Sequence, residues 1–467
     1  MVLRFLQSKH FQRLNIYVFE SLLPRFGAFI FLPFLFRYAS TSVWAEIGLM
    51  IAISEILSKF YLFGFQNSIF RFAKDLSDKE KQYIFKKLII KIFTLSLSIL
   101  VLVEISNALW WPLLFNFEYG LPARTAVVIS CFTSLNIYLI QYIKSLQLSR
   151  KLLFGSVIYT LSNFILQFSS IFFISINYGQ SNRMIVTAYL LSIAIASTLR
   201  VGYYKKITNL KLFSSLEVKE LDIKKFYNFS RPAAGIALLS IAVSHGSKLI
   251  IQNNISLDVL GKYFSYLSYA GIIFVIFAAT QEYFYPVLFK LELKDTLPFR
   301  IQLFYFWSSS TVLYLLVFDK ISSFLIPENY MLSDFNIILI FMIQAFSIQR
   351  SIAGMYYEIN KKITIKLLVH VLTSGLFLTI LFSINYLENY LTLFLILYFT
   401  MGNLFIILSR EYRFLLHFNF MQVSIYLVIQ NINLLDFNII FIPIVMTVLL
   451  FWSKNIFNKF EKLRSLS

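Results

Sequence analysis

The sequence predicts an all-α polytopic membrane protein of about fourteen transmembrane helices, arranged as two six-helix lobes plus a C-terminal pair. Three observations predict it. Of the 467 residues 58% are hydrophobic and only 14% charged, with a mean hydropathy of +0.72, more apolar surface than a water-soluble core can hide. Apolar runs of about 20 residues, long enough to cross ~30 Å of hydrocarbon, recur along the whole chain. Lys and Arg, finally, concentrate in alternate loops between those runs. The short alternating segments of a membrane β-barrel do not occur.

The first six spans fall near 14–37, 43–66, 87–111, 124–146, 152–177 and 184–204. Six more fall near 228–252, 262–286, 301–318, 335–355, 364–387 and 390–409, and a last pair near 414–434, rich in amides, and 437–453. The hydrophilic stretch "YKKITNLKLFSSLEVKELDIKKF" separates the two sets of six. The expected organisation is therefore a lobe at 1–204, a loop at 205–227, a second lobe at 228–409, and an extra pair with tail at 410–467. "RYASTSVWAEIGLMIAISEIL" in the first lobe is echoed by "NNISLDVLGKYFSYLSYAGII" in the second. This is the pattern of a parallel repeat, which transporters use with substrate between the halves.

The net charge of +19 raises nucleic acid as a partner, and its distribution removes it. With the N-terminus inside, 32 of the 42 Lys and Arg fall in cytoplasmic loops or tails, against Arg37, Arg124, Arg183, Lys262 and Lys320 outside. Both termini are thus expected in the cytoplasm, with attraction to anionic membrane lipids as a secondary effect of the basic loops. The single cysteine, Cys131, gives neither a disulfide framework nor a Cys-based metal site. The first apolar segment is full length and lacks a small-residue cleavage site, so it reads as a retained helix. No GxxxxGK[ST], HExxH or GxSxG segment occurs, and the reading is a transporter without metal or organic cofactor rather than an enzyme.

Chemistry inside the membrane rests on charges within spans. The bases are Arg25, Lys59, Arg231, Lys248 and Arg350, and the acids Glu20, Glu55, Glu104 and Glu282. Such groups face a bundle interior or a watery cavity. Arg25 shares a small, polar helix face with Ser21 and Ala28. Lys59 follows Glu55 by four residues, the order that favours an intrahelical pair. Lys248 belongs to a stripe with Ser244, His245 and Gln252. The five bases are the candidate substrate-binding cations; Glu20, Glu55, Glu282 and His245 are candidates for ion coupling or for pairing with a base. Tyr263, Tyr266 and Tyr269 recur every three residues, as a sugar path or as bundle filling.

The segment "FLPFLFRYASTSVWAEIGLMIAISEILSKFYLFGFQNSIFRF" resembles the opening of Wzx-type flippases of lipid-linked polysaccharide. These belong to the multidrug/oligosaccharidyl-lipid/polysaccharide exporter (MOP) superfamily. Gly64 and Arg71-Phe72 fit that pattern, while Ala45 stands where Gly is usual. "FYNFSRPAAGIALLSIAVSHGSKLIIQNNISLDVLGKYFSYLSYA" and "QEYFYPVLFK" resemble the family's seventh and eighth spans, with Ser247-Lys248 in place of a common Asp-Arg pair. The resemblance implies movement of an undecaprenyl-diphosphate-linked oligosaccharide, such as an O-antigen repeat unit, to the outer leaflet of a bacterial inner membrane. It also implies H⁺ or Na⁺ coupling, with a polysaccharide polymerase and chain-length proteins as partners. Two alternatives stand beside it: ion-coupled antiport of small molecules (multidrug export), and a membrane polysaccharide polymerase, which the short external loops disfavour.

Overall fold

The computed structural model describes residues 9–65, 68, 72, 76–114, 120–145, 149–177, 182–208, 223–288, 293–359, 362–383 and 390–408. These residues form helix almost throughout, and each of the first twelve expected spans is a helix. In order they are α1 (Lys9–Tyr38), α2 (Thr41–Leu62), α3 (Asp78–Leu114), α4 (Leu121–Ser145), α5 (Ser149–Asn177) and α6 (Asn182–Thr208). Next comes α7 (Ile223–Ile241), continued through a π-helical turn (Ala242–Gly246) into the short α8 (Ser247–Ile251). The chain goes on with α9 (Leu257–Leu288), α10 (Leu293–Leu325), α11 (Asp334–Ile359), α12 (Ile363–Ser383) and α13 (Tyr390–Leu408). The expected pair at 414–434 and 437–453, and most of the expected inter-lobe loop, lie outside the described residues. Eight of the described helices are long and apolar enough to cross a membrane. Their outer faces carry bare side chains such as Ile105 and Leu109, as acyl chains permit and water does not. The protein is an all-α polytopic membrane protein.

The helix ends follow local chemistry. Ser40 caps α2 by accepting from the Val43 amide at 3.4 Å, and Ser256 accepts likewise from Val259 at 3.3 Å at the start of α9. The two echoing segments thus begin their helices with the same S-x-x-V cap, which satisfies an otherwise orphaned donor. α3 starts at Asp78, well ahead of the expected 87. There Ser77 and Glu80 form a reciprocal capping box, with the Ser77 amide donating to Glu80 at 2.7 Å and the Glu80 amide to Ser77 Oγ at 3.4 Å. At 37 residues α3 is ~55 Å long and outruns the hydrocarbon, so its basic first turns stand in water.

The chain divides into two compact units: Met1–Ser265 with Leu381–Leu387, and Tyr266–Ile380 with Glu388–Ser467. In the first unit α5 packs on α1 and α6, and α4 on α2 and α6. Its core centres on Phe85, whose ring stacks on Tyr138 at 4.8 Å and Tyr142 at 4.0 Å. The second unit packs α10 and α13 on α11 around Phe277, Phe299, Phe304, Trp307 and Ile352.

Candidate functional site

The strongest polar constellation lies inside the first unit, near the ends of α1, α4, α5 and α6 expected to face the cytoplasm. Glu20, Arg200 and Lys144 are 4%, 6% and 7% exposed. Arg200 Nη2 lies 2.9 Å from Glu20 Oε1, and Lys144 Nζ lies 3.7 Å from Oε2. Ser156 ties the group together, accepting from Arg200 at 2.7 Å and donating to Glu20 at 3.2 Å. Arg200 Nε donates to Tyr204 OH at 3.0 Å, and that hydroxyl donates to the Leu152 carbonyl at 3.2 Å. The guanidinium also sits 5.5 Å from the Tyr159 ring centroid, a cation–π distance. Two cations share one carboxylate.

From Ser156 a polar stripe climbs α5 through Thr160, Asn163 and Gln167, at spacings of four, three and four that keep one face. It spans ~16 Å. Thr160 Oγ1, Asn163 Oδ1 and Gln167 Nε2, with Asn136 Oδ1 from α4, are buried and have no hydrogen-bond partner among the described residues. Buried polar atoms are normally satisfied by protein or ordered water. A row of them can hold water or pass a small cation toward Glu20.

A second constellation follows α2 along α7, the π-turn and α8. Gly64, at φ +72°, closes α2 in the left-handed region; a Cβ there would stand 2.5 Å from the Ser230 carbonyl and 2.8 Å from the Ala234 amide. Only glycine satisfies both the conformation and the contact. One turn on, the hydroxyls of Ser68 and Ser230 lie 2.5 Å apart. At the other end of α2 Thr41 donates to Asp258, which also pairs with Lys262 at 3.0 Å. Gly261 leaves room there for the Thr41 carbonyl. Between these ends, Lys248 Nζ lies 5.4 Å from the Phe264 ring centroid, and the same ring fills the space left by Gly48.

The expected site residues divide as follows. Glu20 joins the buried cluster as a partner of bases. Lys59 and Glu55 are half-buried in α2, and no ion pair joins them among the described residues, so the intrahelical pairing anticipated from their spacing is not formed. Arg231 is exposed on α7. His245 lies in the π-turn and Lys248 just beyond it, both half-buried. That turn holds one residue more than an α-turn, a feature frequent at functional sites, and it rotates His245 away from the position a regular helix gives it. Arg350 is half-buried on α11 with its guanidinium 5.9 Å from the Phe405 ring centroid. Arg25 and Glu282 lie on α1 and α9, and their side chains are outside the described ones. Glu104 pairs with Arg124 at 3.6 Å. Tyr263, Tyr266 and Tyr269 are buried.

Sequence reasoning missed four bases. Lys144, Arg200, Arg300 and Lys366 fall in the cytoplasmic-loop count, yet all are buried, Arg300 at 1% exposure and Lys366 at 9%. In the second unit Lys366 lies one helical turn from His370 (4% exposed), and the His370 ring packs on Phe405 at 4.9 Å. The α5 stripe was also missed, although its four–three–four spacing is readable in "SVIYTLSNFILQ". Among the described residues no cluster of His, Cys, Asp and Glu could hold a metal.

Long helices with charge buried in both units define a class: the polytopic helical bundle with an ionic interior. No family model matches the chain, and no curated protein matches it. Among solved structures it is similar to an inward-facing multidrug resistance MATE family transporter of the MOP superfamily. The identity is 13% and the TM-score 0.59, over 91% of this chain and 99% of that one. It is similar also to the MATE multidrug transporter DinF-BH (16%, 0.59, 88% and 96%) and to a MATE protein in a bent conformation (12%, 0.54, 90% and 99%). The chain has the fold of the MATE transporters. The likeness is one of fold, at 12–16% identity, and does not reach the Wzx-type branch that the sequence resembles.

Proposed function

We propose that this protein is an alternating-access transporter in a bacterial inner membrane, and that it carries the anionic head of a lipid-linked oligosaccharide. The observation that carries the substrate class is the sign of the interior charge. Glu20, the acid of the buried cluster in the first unit, is held by two bases, Arg200 and Lys144. Lys59 is half-buried on α2 and paired with no carboxylate among the described residues, and Lys248 of α8 stands over the Phe264 ring. Bases so placed suit a diphosphate, which Arg and Lys bind strongly. The polyprenyl tail stays in lipid while the head crosses.

The fold neighbours back a second reading better than this one. All those described above are MATE proteins, and two are multidrug transporters by name, so ion-coupled export of small molecules is the reading that fold likeness favours. The buried α5 stripe supports it as a route for H⁺ or Na⁺. One strain separates the two. In a host whose surface polysaccharide depends on this gene, Lys248→Ala and Arg25→Ala abolish polysaccharide while the protein persists in the membrane, and drug accumulation stays constant. Full polysaccharide in both variants rejects flipping; drug accumulation that rises in Asn163→Leu/Gln167→Leu cells establishes the antiport reading in its place.

A further inference from the structure

We propose that the start of α5 and the end of α6 form a binding site for an anionic phospholipid on the outer surface of the first unit. The two helices are consecutive and pack on each other. The Phe154 and Tyr203 rings, 5.3 Å apart, bring the first turns of α5 beside the last turns of α6. Around this aromatic pair stand three exposed lysines: Lys151 one turn before Phe154, and Lys205 and Lys206 just beyond Tyr203. None of the three is joined to a carboxylate among the described residues.

Away from these ends the same two helices turn apolar side chains outward. Phe154, Leu161 and Ile165 on α5, and Leu199 and Ile195 on α6, are each 46–61% exposed. The spacing puts Lys151 on the α5 stripe and Lys206 on the α6 stripe. Gly202 interrupts the latter between Leu199 and Lys206. It is exposed, and an added Cβ there meets nothing within 4 Å, so a notch one side chain wide opens beside the lysines. Along both helices the order is therefore ammonium, aromatic ring or notch, then acyl-facing surface. That is the order of a phospholipid: phosphate, glycerol, chains. Lysines a turn from a helix end snorkel to headgroup level, and basic clefts between membrane helices take anionic head groups. The occupant is a lipid because the cations continue without a break into apolar surface, of which a soluble anion uses nothing. Three cations from two helices suit a head with two phosphates better than one with a single phosphate. The lipid is a bound neighbour of the bundle and not its cargo, so the site stands under either transport reading.

The test uses purified full-length protein in dodecyl maltoside, titrated with cardiolipin, phosphatidylglycerol or phosphatidylcholine while the melting temperature is followed. Cardiolipin raises it saturably, phosphatidylglycerol does so at higher concentration, and phosphatidylcholine has no effect. Each of Lys151→Gln, Lys205→Gln and Lys206→Gln shifts the half-saturating cardiolipin concentration up about fivefold. The triple variant loses the response, while Lys79→Gln/Lys87→Gln, exposed lysines of α3, keeps it. A response undiminished in the triple variant overturns the proposal, as does phosphatidylcholine acting as well as cardiolipin. Sodium pyrophosphate reproducing the rise at equal concentration assigns the lysines to an aqueous anion and also overturns it. Should the triple variant fail to accumulate, the single variants decide: half-saturation unchanged in all three removes the site.

Discussion

The two units bury their bases in different surroundings. In the first, Arg200 and Lys144 are buried around Glu20, and Ser156 and Tyr204 complete the hydrogen bonds. In the second, Lys366 is buried near a histidine. Both groups sit a turn or two inside helix ends expected to meet the cytoplasm, where a long side chain has the choice of reaching water or turning inward. Turning inward is tolerable only with countercharge. In the first unit Glu20 carries it in the chain. The first cluster is therefore a fixed structural element, an acid held by two bases, whereas in the second Lys366 and His370 are buried one turn apart on α12, with Phe405 against the imidazole.

Removing the acid from the first cluster breaks the comparison most severely. Glu20→Gln leaves Arg200 and Lys144 facing an amide, and loss of one partner from a buried pair costs ~3–5 kcal/mol. The expected outcome is a sharply lowered melting temperature in sodium gluconate, with sodium chloride at the same ionic strength recovering part of the loss. If chloride does nothing for Glu20→Gln, loss of that carboxylate does not suffice to create anion dependence. Arg200→Met in the Glu20→Gln background removes one of the two stranded cations and restores part of the stability, so the double-variant cycle shows a large coupling.

How much of this was legible from the sequence depends on which question is asked. The twelve helices were, because hydropathy over 20 residues averages out detail. Where they end was not: α3 begins at Asp78 because Ser77 and Glu80 cap it, a four-residue signal weaker than the basic loop character around it. The buried bases fared worst. A lysine one turn inside a helix end and a lysine one turn outside look the same to a charge count, and Lys144, Arg200, Arg300 and Lys366 all fall outside by that logic. What separates them is the partner across the bundle, as Glu20 is for Arg200 at a separation of 180 positions, and no local pattern reports that. The echo between the α2 and α9 starts was legible because caps are local. The pairing of Glu55 with Lys59 failed for the converse reason: spacing permits an i,i+4 pair but gives only ~0.2–0.5 kcal/mol to hold it.

The smallest effect isolates hydrogen bonding from charge. Ser156→Ala removes a hydroxyl that accepts from Arg200 at 2.7 Å and donates to Glu20 at 3.2 Å, but leaves the direct 2.9 Å ion pair intact. A neutral bridging hydroxyl contributes on the order of 1 kcal/mol, so the melting temperature falls slightly in both salts by the same amount. That equality is the informative part. Ser156 adds no net charge, and its loss does not create a demand for an anion if countercharge rather than hydrogen-bond count is what holds the cluster. A chloride-dependent recovery in Ser156→Ala of the size seen in Glu20→Gln assigns the anion dependence to unsatisfied donors instead.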